Sequence, residues 1–186
     1  MTSFTALDVE TANARYGSIC AFGITVVADG VVIESIHRIV KPPESLAYFE
    51  GRNIGIHGIS ASTVQNKPSL KQSWAELVSF LDGKSIVCHN AGFDINALSQ
   101  AAEALGVKPP QLSYICTMQI SRKLLGMPSC TLPLVAAKLG VPLRRHHEAS
   151  SDSEAAAGIA LALMNMTRTS SPEALASAAG LTPRWL

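Results

Sequence analysis

Charge is scarce in this chain, and the two signs nearly cancel. The 186 residues include fifteen Lys and Arg and fourteen Asp and Glu, which gives a formal net charge of +1. A protein that wraps a long stretch of DNA usually has a strong basic excess, so this composition excludes an extended electrostatic interface. Hydrophobic residues make up 47% of the chain. That fraction excludes a disordered protein, and the length suits one domain with a sizeable core.

Cysteines and long apolar runs are also few. The four cysteines, Cys20, Cys88, Cys116 and Cys130, stand far apart and form no CxxC pair. Buried reduced thiols in a cytoplasmic protein are the simplest interpretation. No basic flank with an apolar core precedes Asp8, so we predict no signal peptide. No apolar run reaches the ~18 residues of a membrane span, so we predict no membrane partner.

Apolar periodicity and turn signals predict an α/β fold. Strands are predicted at residues 4–9, 19–27, 31–40, 86–88 and 112–116, and helices at residues 69–81, 94–105, 132–139 and 152–166. Asp29-Gly30 is a hairpin signal, so the first three strands begin as a meander. The later strands alternate with helices, which indicates a sheet of mixed direction flanked by helices. A long connection after Pro43 contains three glycines, and loops of this length often carry function.

Two acids stand at the end of the first predicted strand. Asp8 and Glu10 are two residues apart, so their side chains point to the same face. Phe4 and Ala6 belong to that face and are apolar. Two carboxylates beside an apolar face repel each other and lose water, which is unfavourable unless cations neutralise them. The alternative is a solvated strand end.

A third acid opens a predicted helix. Asp94 begins a stripe that continues through Leu98, Ala101 and Leu105, so the acid lies on the side that faces the sheet. The alternative is a helix N-terminal carboxylate that interacts with the helix dipole. The preceding residues 89–93 combine polar, small and aromatic side chains directly after a buried strand. This combination favours a functional site.

A fourth acid repeats this placement near the end of the chain. Ser151 and Glu154 are predicted to form a capping box, with Asp152 as the first helical residue. His147 lies five residues earlier, in a loop from which it can reach the same point, and residues 144–146 are predicted to be a solvated basic loop. Four carboxylates and one titratable base suit metal-dependent cleavage of phosphate diesters.

Three segments in this order resemble the motifs of the DEDDh 3′–5′ exonucleases. They are Asp8-Val9-Glu10, residues 89–94 and the His-x-x-x-x-Asp segment at residues 147–152. That family includes the proofreading epsilon subunit of bacterial DNA polymerase III, and the resemblance covers roughly residues 4–166. It implies a ribonuclease H-like fold with a mixed five-stranded sheet, one strand antiparallel. We expect residues 1–169 to form the exonuclease domain and residues 170–186 a short helix and tail.

The resemblance also implies the chemistry. Asp8, Glu10, Asp94 and Asp152 would hold two divalent cations, Mg²⁺ or Mn²⁺, and His147 would act as general base. Asp8 would lie between the two cations, at their usual spacing of ~4 Å. The implied reaction is hydrolysis from a free 3′ end, with release of nucleoside 5′-monophosphates.

Five residues are expected to contact the terminal nucleotide: Thr11, Ala12, Ile56, His57 and Phe93. Thr11 and Ala12 would offer backbone groups to the 3′ end, and Ile56 would wedge against the last base. His57 would face the sugar or phosphate, and Phe93 would pack under the sugar. The alternative for Ile56 and Phe93 is a core role. The family often has Asp-x-Glu-Thr-Thr-Gly, whereas Asn13 replaces the glycine here, which affects nucleotide contacts and not the metal site.

Several functions share this set of residues. The expected partner is the 3′ end of a single-stranded nucleic acid, DNA in proofreading or repair, and a DNA polymerase is a second candidate partner. An RNA-trimming exonuclease would use the same acids, because the 2′-hydroxyl is read elsewhere. A catalytically silent nucleic-acid-binding module is expected to lose an acid or the histidine, and all five are present.

Overall fold

A six-stranded mixed sheet forms the centre of the computed structural model, which describes residues 2–186. The spatial order of its strands is β3-β2-β1-β4-β5-β6. The strands are β1 (Phe4–Thr11), β2 (Ile19–Ala28), β3 (Val31–Ile39), β4 (Ser85–Cys88), β5 (Ser113–Cys116) and β6 (Arg184–Trp185).

The strand directions agree with the predicted mixed sheet. β1 and β2 pair antiparallel, as do β2 and β3, while β1, β4 and β5 run parallel. Among the first five strands, β2 is therefore the one antiparallel member. β6 adds a sixth strand, antiparallel to β5, with Arg184 opposite Tyr114. The predicted count of five was one short, because a two-residue strand has no periodicity to detect.

Helices cover both faces of the sheet. They are α1 (Gly51–His57), α2 (Ala61–Val64), α3 (Leu70–Leu81), α4 (Gly92–Leu105), α5 (Thr117–Leu124), α6 (Leu132–Leu139), α7 (Ala149–Thr167) and α8 (Pro172–Ala178), with a 3₁₀ turn at Glu44–Leu46. Alternate residues of β1 enter two cores. Leu7 and Val9 pack with α3 and α4, and Phe4 and Ala6 pack with α6, α7 and α8. No helix within residues 2–186 combines the length and the apolarity that crossing a membrane requires.

Gly23 lets α7 approach the sheet closely. It lies on β2 directly opposite Asp8, and a Cβ built on it would stand 2.0 Å from the backbone oxygen of Ala149, the first residue of α7. A side chain at this position would collide with the helix backbone. The absence of that side chain brings the first turn of α7, including Asp152, over the end of β1.

The helix boundaries differ from the predictions at α7. The helix begins at Ala149 and has Glu148 as its N-cap residue, so Asp152 lies in the first turn and is not the first helical residue. The predicted capping box of Ser151 with Glu154 is wrong, because the Ser151 hydroxyl accepts the backbone N–H of Arg145 at 2.9 Å. Its oxygen therefore fixes the preceding loop.

Three short helices were missed by the sequence analysis. α1 and α2 lie in the connection after Pro43, and α5 follows β5 directly. None of the three exceeds eight residues, so each offers at most two turns of periodicity. The predicted C-terminal helix is present as α8, which packs against α7, β4 and β5.

Candidate active site

The four predicted acids converge where β1, α4 and α7 meet. Asp8 and Glu10 share one face of β1, Asp94 lies in the first turn of α4, and Asp152 lies in the first turn of α7. One carboxylate oxygen from each of Asp8, Glu10 and Asp152 lies within 4.8 Å of the other two. Residues far apart in the chain therefore form a single cluster.

Backbone hydrogen bonds hold two of these carboxylates in place. Asp94 Oδ1 accepts the N–H of Val9 at 3.0 Å, so α4 is tied to β1 between the two strand acids. Asp152 Oδ2 accepts the N–H of His147 at 3.0 Å. Each bond leaves further lone pairs on the carboxylate, because an ionised carboxylate has about four acceptor sites. Both groups can therefore still bind a cation.

The cluster is electrostatically crowded. Glu10, Asp94 and Asp152 are 8%, 1% and 4% exposed. Burial raises the pKa of all four carboxyls above their ordinary values. For Glu10, burial and then the charges of Asp152 and Asp94 raise the pKa to about 8. Oxygen donors are the ligands that Mg²⁺ and Mn²⁺ prefer, and cations would relieve this repulsion, so the donor set fits such ions.

We expect the metal-free protein to lose stability as the pH rises from 6.5 to 8. In the unfolded chain Glu10 is already ionised over this range, whereas in the fold it gives up its proton near pH 8. The native state then binds more protons than the unfolded state, so the free energy of unfolding falls with pH, by up to roughly 1 kcal/mol per pH unit from this group. Thermal melts in EDTA measure this, and Glu10→Gln should flatten the profile. A midpoint that rises over this range would contradict the expectation.

His147 lies beside Asp152 with an unusual backbone. Its φ is 69°, in the left-handed region that non-glycine residues seldom adopt. Its ring stacks on that of His146 at 3.7 Å between centroids. Burial, followed by the neighbouring His146, lowers its pKa below 6.5. Among residues 2–186 no hydrogen bond engages the His147 ring, and the residue lines the cleft over the acids.

His146 is exposed, as predicted for the basic loop, but it also contacts the acid cluster. Its Nδ1 lies 3.0 Å from Asp152 Oδ2, so its ring touches a carboxylate of the cluster. The Asp152 oxygens, His146 and His147 form a second group of close metal-ligand types. The sequence showed two adjacent histidines but not which of them bonds the acid. That depends on the left-handed turn at His147.

A cleft of about 420 Å³ opens over the acids and is lined by four of the five residues expected to contact substrate: Thr11, Ile56, His57 and Phe93. Ile56 is 46% exposed, so it is not a core anchor. Phe93 is partly buried against the core and meets Tyr16 edge to face, with 5.6 Å between ring centroids. Its ring therefore belongs to both the core and the cleft wall.

Two of the expected contacts have their polar groups engaged within the protein. Ala12 is buried; its N–H donates to the Ser18 carbonyl at 2.8 Å, and its carbonyl accepts the Glu50 N–H at 2.9 Å. Neither backbone group of Ala12 is therefore free to contact the 3′ end of a nucleic acid, which differs from the prediction. His57 Nδ1 accepts the Ile59 N–H, and Nε2 lies 3.0 Å from the Thr11 carbonyl.

The cleft wall also contains residues that were not among the predicted site residues: Asn53, His89, Asn90, Met118, Thr131, Leu132 and His146. Of these, His89 and Asn90 belong to the motif segment at residues 89–94, and His146 was expected only as part of a basic loop. His89 has Thr117 Oγ1 and the Cys130 carbonyl at 2.9 Å from its two ring nitrogens. Burial lowers its pKa to about 4, so the ring is neutral and ties the loop before α6 to β4. Asn53 gave no signal, because it lies in a connection with no predicted structure.

A larger open cleft, of about 990 Å³, lies between residues 41–49, α2 and the end of α4. Glu44 is the one acid among its lining residues, and no histidine lines it. Size therefore does not identify the functional site of this chain. The convergence of acids and histidines makes the smaller cleft the candidate active site.

Comparisons with known proteins match most of the chain. The family model RNase_T, described as Exonuclease, matches residues 4–160. The PolC-type DNA polymerase III of Thermotoga petrophila is 30% identical over 168 residues, which cover 89% of this chain but 12% of that protein. The chain therefore spans about an eighth of this relative's length.

Two solved structures share the fold. Exonuclease X in complex with 5′ overhanging duplex DNA has a TM-score of 0.75 at 21% identity, covering 95% of this chain and 99% of that one. The nuclease domain of 3′hExo, a DEDDh family member bound to rAMP, has a TM-score of 0.76 at 17% identity, covering 89% and 92%. The expected ribonuclease H-like architecture is confirmed.

Proposed function

We propose, from the premise that this chain belongs to the RNase_T exonuclease family and is a 3′–5′ exonuclease, that it degrades single-stranded DNA with two divalent cations. The observation that carries the proposal is the meeting of Asp8, Glu10, Asp94 and Asp152 at one cleft beside His147. Such a cluster is costly to the fold, and cations would offset that cost.

The four carboxylates would hold the cations. The charges of Asp94, Glu10 and Asp152 all raise the pKa of Asp8, so this carboxyl interacts with every other acid of the cluster. When bound, two such cations polarise a phosphate, lower the pKa of a water and stabilise a leaving oxygen. The roles of the side chains follow from their places. Asp94 is fixed to the Val9 N–H and Asp152 to the His147 N–H, so both are held before any ligand arrives.

His147 would remove the proton from the attacking water. Its lowered pKa keeps the ring neutral at neutral pH, which is the form that accepts a proton. The water oxygen bonds to the terminal phosphorus and the bond from phosphorus to O3′ breaks. The departing O3′ takes up one proton, equivalent to the one that His147 removes, so the shortened strand ends in a 3′-hydroxyl. The product is a nucleoside 5′-monophosphate. The Asp152–His147 bond links a proposed metal ligand to the proposed base.

The remaining expected contacts surround the proposed path of the 3′ end. Thr11 continues β1 past Glu10, Ile56 projects from α1, and Phe93 precedes Asp94. Ile56 would press on the last base, and Phe93 would support its sugar. These contacts are apolar or made by backbone and carry no sequence information, which suits an enzyme that removes any terminal nucleotide.

Charge outside the acid cluster supports a nucleic-acid substrate. Four of the fourteen acidic residues lie in the cluster, so the rest of the chain has fifteen basic and ten acidic residues. That balance suits contact with a few phosphates. The PolC-type relative and the DNA complex of exonuclease X favour DNA, whereas the rAMP complex of 3′hExo keeps RNA as the second candidate.

An editing role beside a polymerase is the biological setting we propose, because the PolC-type relative contains its matching segment within a longer polymerase chain. Residues 1–169 would be the catalytic unit, with α8 and β6 as an added edge. An exonuclease that edits must accept a frayed 3′ end. A mispaired primer terminus supplies such an end without a separate single strand.

We expect a metal-dependent ladder that shortens from the 3′ end of 5′-labelled DNA. The assay compares single-stranded DNA and RNA of matched sequence and a mispaired primer–template, each with Mg²⁺, Mn²⁺ or EDTA. Asp8→Ala should abolish cleavage, because it removes the carboxylate that interacts with all three of the others. The strand that is degraded faster identifies the sugar preference. Cleavage by Asp8→Ala at the wild-type rate would refute the metal site. No cleavage of any strand would favour the alternative of a catalytically silent nucleic-acid-binding module.

A further inference from the structure

The residues of helix α1 do not by themselves make this helix stable. It has seven residues and none of them is buried. Gly51 and Gly55 both face open space, since a Cβ on either would meet no atom within 4 Å. Glycine in a helix is unfavourable by roughly 0.5–1 kcal/mol relative to alanine, so neither packing nor propensity supports this helix. Contacts to another element must hold it.

Two side chains of α1 bond to the same backbone carbonyl at the end of β1. Asn53 Nδ2 donates to the Thr11 carbonyl at 2.9 Å and lies 3.2 Å from Thr11 Oγ1. His57 Nε2 lies 3.0 Å from that carbonyl. The Ile59 N–H donates to His57 Nδ1, so the ring hydrogen is on Nε2 and points at the carbonyl. Asn53 and His57 are four residues apart and share one helix face.

The Thr11 carbonyl lies between the acid cluster and the cleft wall. Thr11 directly follows Glu10, and Ile56 stands beside His57 on α1 with 46% of its surface exposed in the cleft. The Thr11 carbonyl is thus the point where the helix that presents Ile56 meets the strand that presents the acids. A shift of α1 would move Ile56 relative to the acids.

We infer that Asn53 and His57 are positioning residues for the 3′-terminal nucleotide. By holding α1 on the Thr11 carbonyl they keep Ile56 at a fixed distance from the acids. This inference rests on the proposed function, in which Ile56 presses on the last base. It also explains why both ring nitrogens of His57 are bonded within the protein and not free to contact the nucleotide.

The inference predicts a change in KM rather than in kcat. A base wedge binds the strand end equally before and during the reaction, and losing such uniform binding raises KM with little change in kcat. Asn53→Ala and His57→Ala should each raise KM for single-stranded oligo(dT) by about five- to tenfold. The expected kcat stays within about threefold of wild type. His57→Gln should recover part of the loss, because its amide can donate to the same carbonyl.

Two further variants separate positioning from direct contact. In an Ile56→Ala background, Asn53→Ala should raise KM no further, because its effect passes through Ile56. Gly55→Ala fits the open space and favours helix, so it should restore much of the KM of Asn53→Ala. A side chain that touched substrate would not be rescued in this way. Gln72→Ala, an exposed amide on α3, is the matched control and should leave KM unchanged.

A second readout does not depend on activity. Hydrogen exchange of the metal-free protein should be at least about fivefold faster at the α1 amides of Ile54 and Gly58 in Asn53→Ala and His57→Ala, with α4 unchanged. Unchanged exchange and unchanged KM would overturn the inference. An additive KM effect in the Ile56→Ala background would also overturn it. If wild type cleaves no strand, the proposed function fails, while the exchange result still decides whether these residues hold α1.

Discussion

Replacing Gly23 by alanine should remove most of the nuclease activity, although Gly23 contacts no substrate in the proposed mechanism. The new Cβ would stand 2.0 Å from the carbonyl oxygen and 2.1 Å from the carbonyl carbon of Ala149, so the first turn of α7 must move. Asp152 and the Asp152–His147 bond move with that turn. A misplacement of about 1 Å in a catalytic group can cost about 10²-fold in rate, and overpacking costs about 1–3 kcal/mol of stability.

The measurement is kcat on single-stranded DNA, together with a thermal melt of each variant. Gly158→Ala is the matched control, because it lies on the same helix and its Cβ would meet a side-chain methyl of Val141 at 2.7 Å rather than backbone at the acid cluster. That variant should lose stability and keep most of its kcat. A folded Gly23→Ala protein with the wild-type kcat would show that the close approach of α7 is unnecessary for the site.

Loss of His147 should lower kcat by about 10²–10⁴-fold, the usual contribution of a general base. His147→Ala leaves all four carboxylates in place, and the backbone N–H that bonds Asp152 remains. Cation binding should therefore largely survive, as measured by the rise in melting temperature with Mn²⁺. His146→Ala is the informative neighbour, because it removes the stacked ring but not the proposed base.

The two histidine variants should differ in rate. We expect His146→Ala to retain far more activity than His147→Ala, because the His146 Nδ1 is already bonded to Asp152. If His147→Ala keeps wild-type turnover at neutral pH, the base assignment is wrong. If instead His146→Ala shows the larger loss of kcat, His146 and not His147 is the general base.

The sequence predicted those parts of the fold that depend on local pattern. β1 and α6 have clear apolar periodicity, and the acids of β1 stand two apart on one face. The hairpin between β2 and β3 follows from Asp29-Gly30, with φ of 52° and 78°. Local chemistry determines each of these features, so no knowledge of distant residues was needed.

The parts that could not be predicted depend on contacts between distant residues. Gly23 looks like an ordinary strand glycine until α7 lies against it. The start of α7 at Ala149 follows from that packing rather than from the Ser151 signal. Hydrogen bonds to the Thr11 carbonyl hold α1, and no pattern in the sequence predicts these bonds. The four acids could be found because their chemistry conflicts with burial, and this conflict is visible in the sequence.

The tie between Asp94 and the Val9 N–H spans 85 residues, and Asp152 completes the cluster from still further along the chain. A polypeptide emerging from the ribosome therefore contains no assembled acid cluster until most of it has been made. Before that point the acids present are too few to form the complete cluster that the proposed cation site requires. The acid cluster is therefore a property of the folded chain, and no short segment of the sequence contains it.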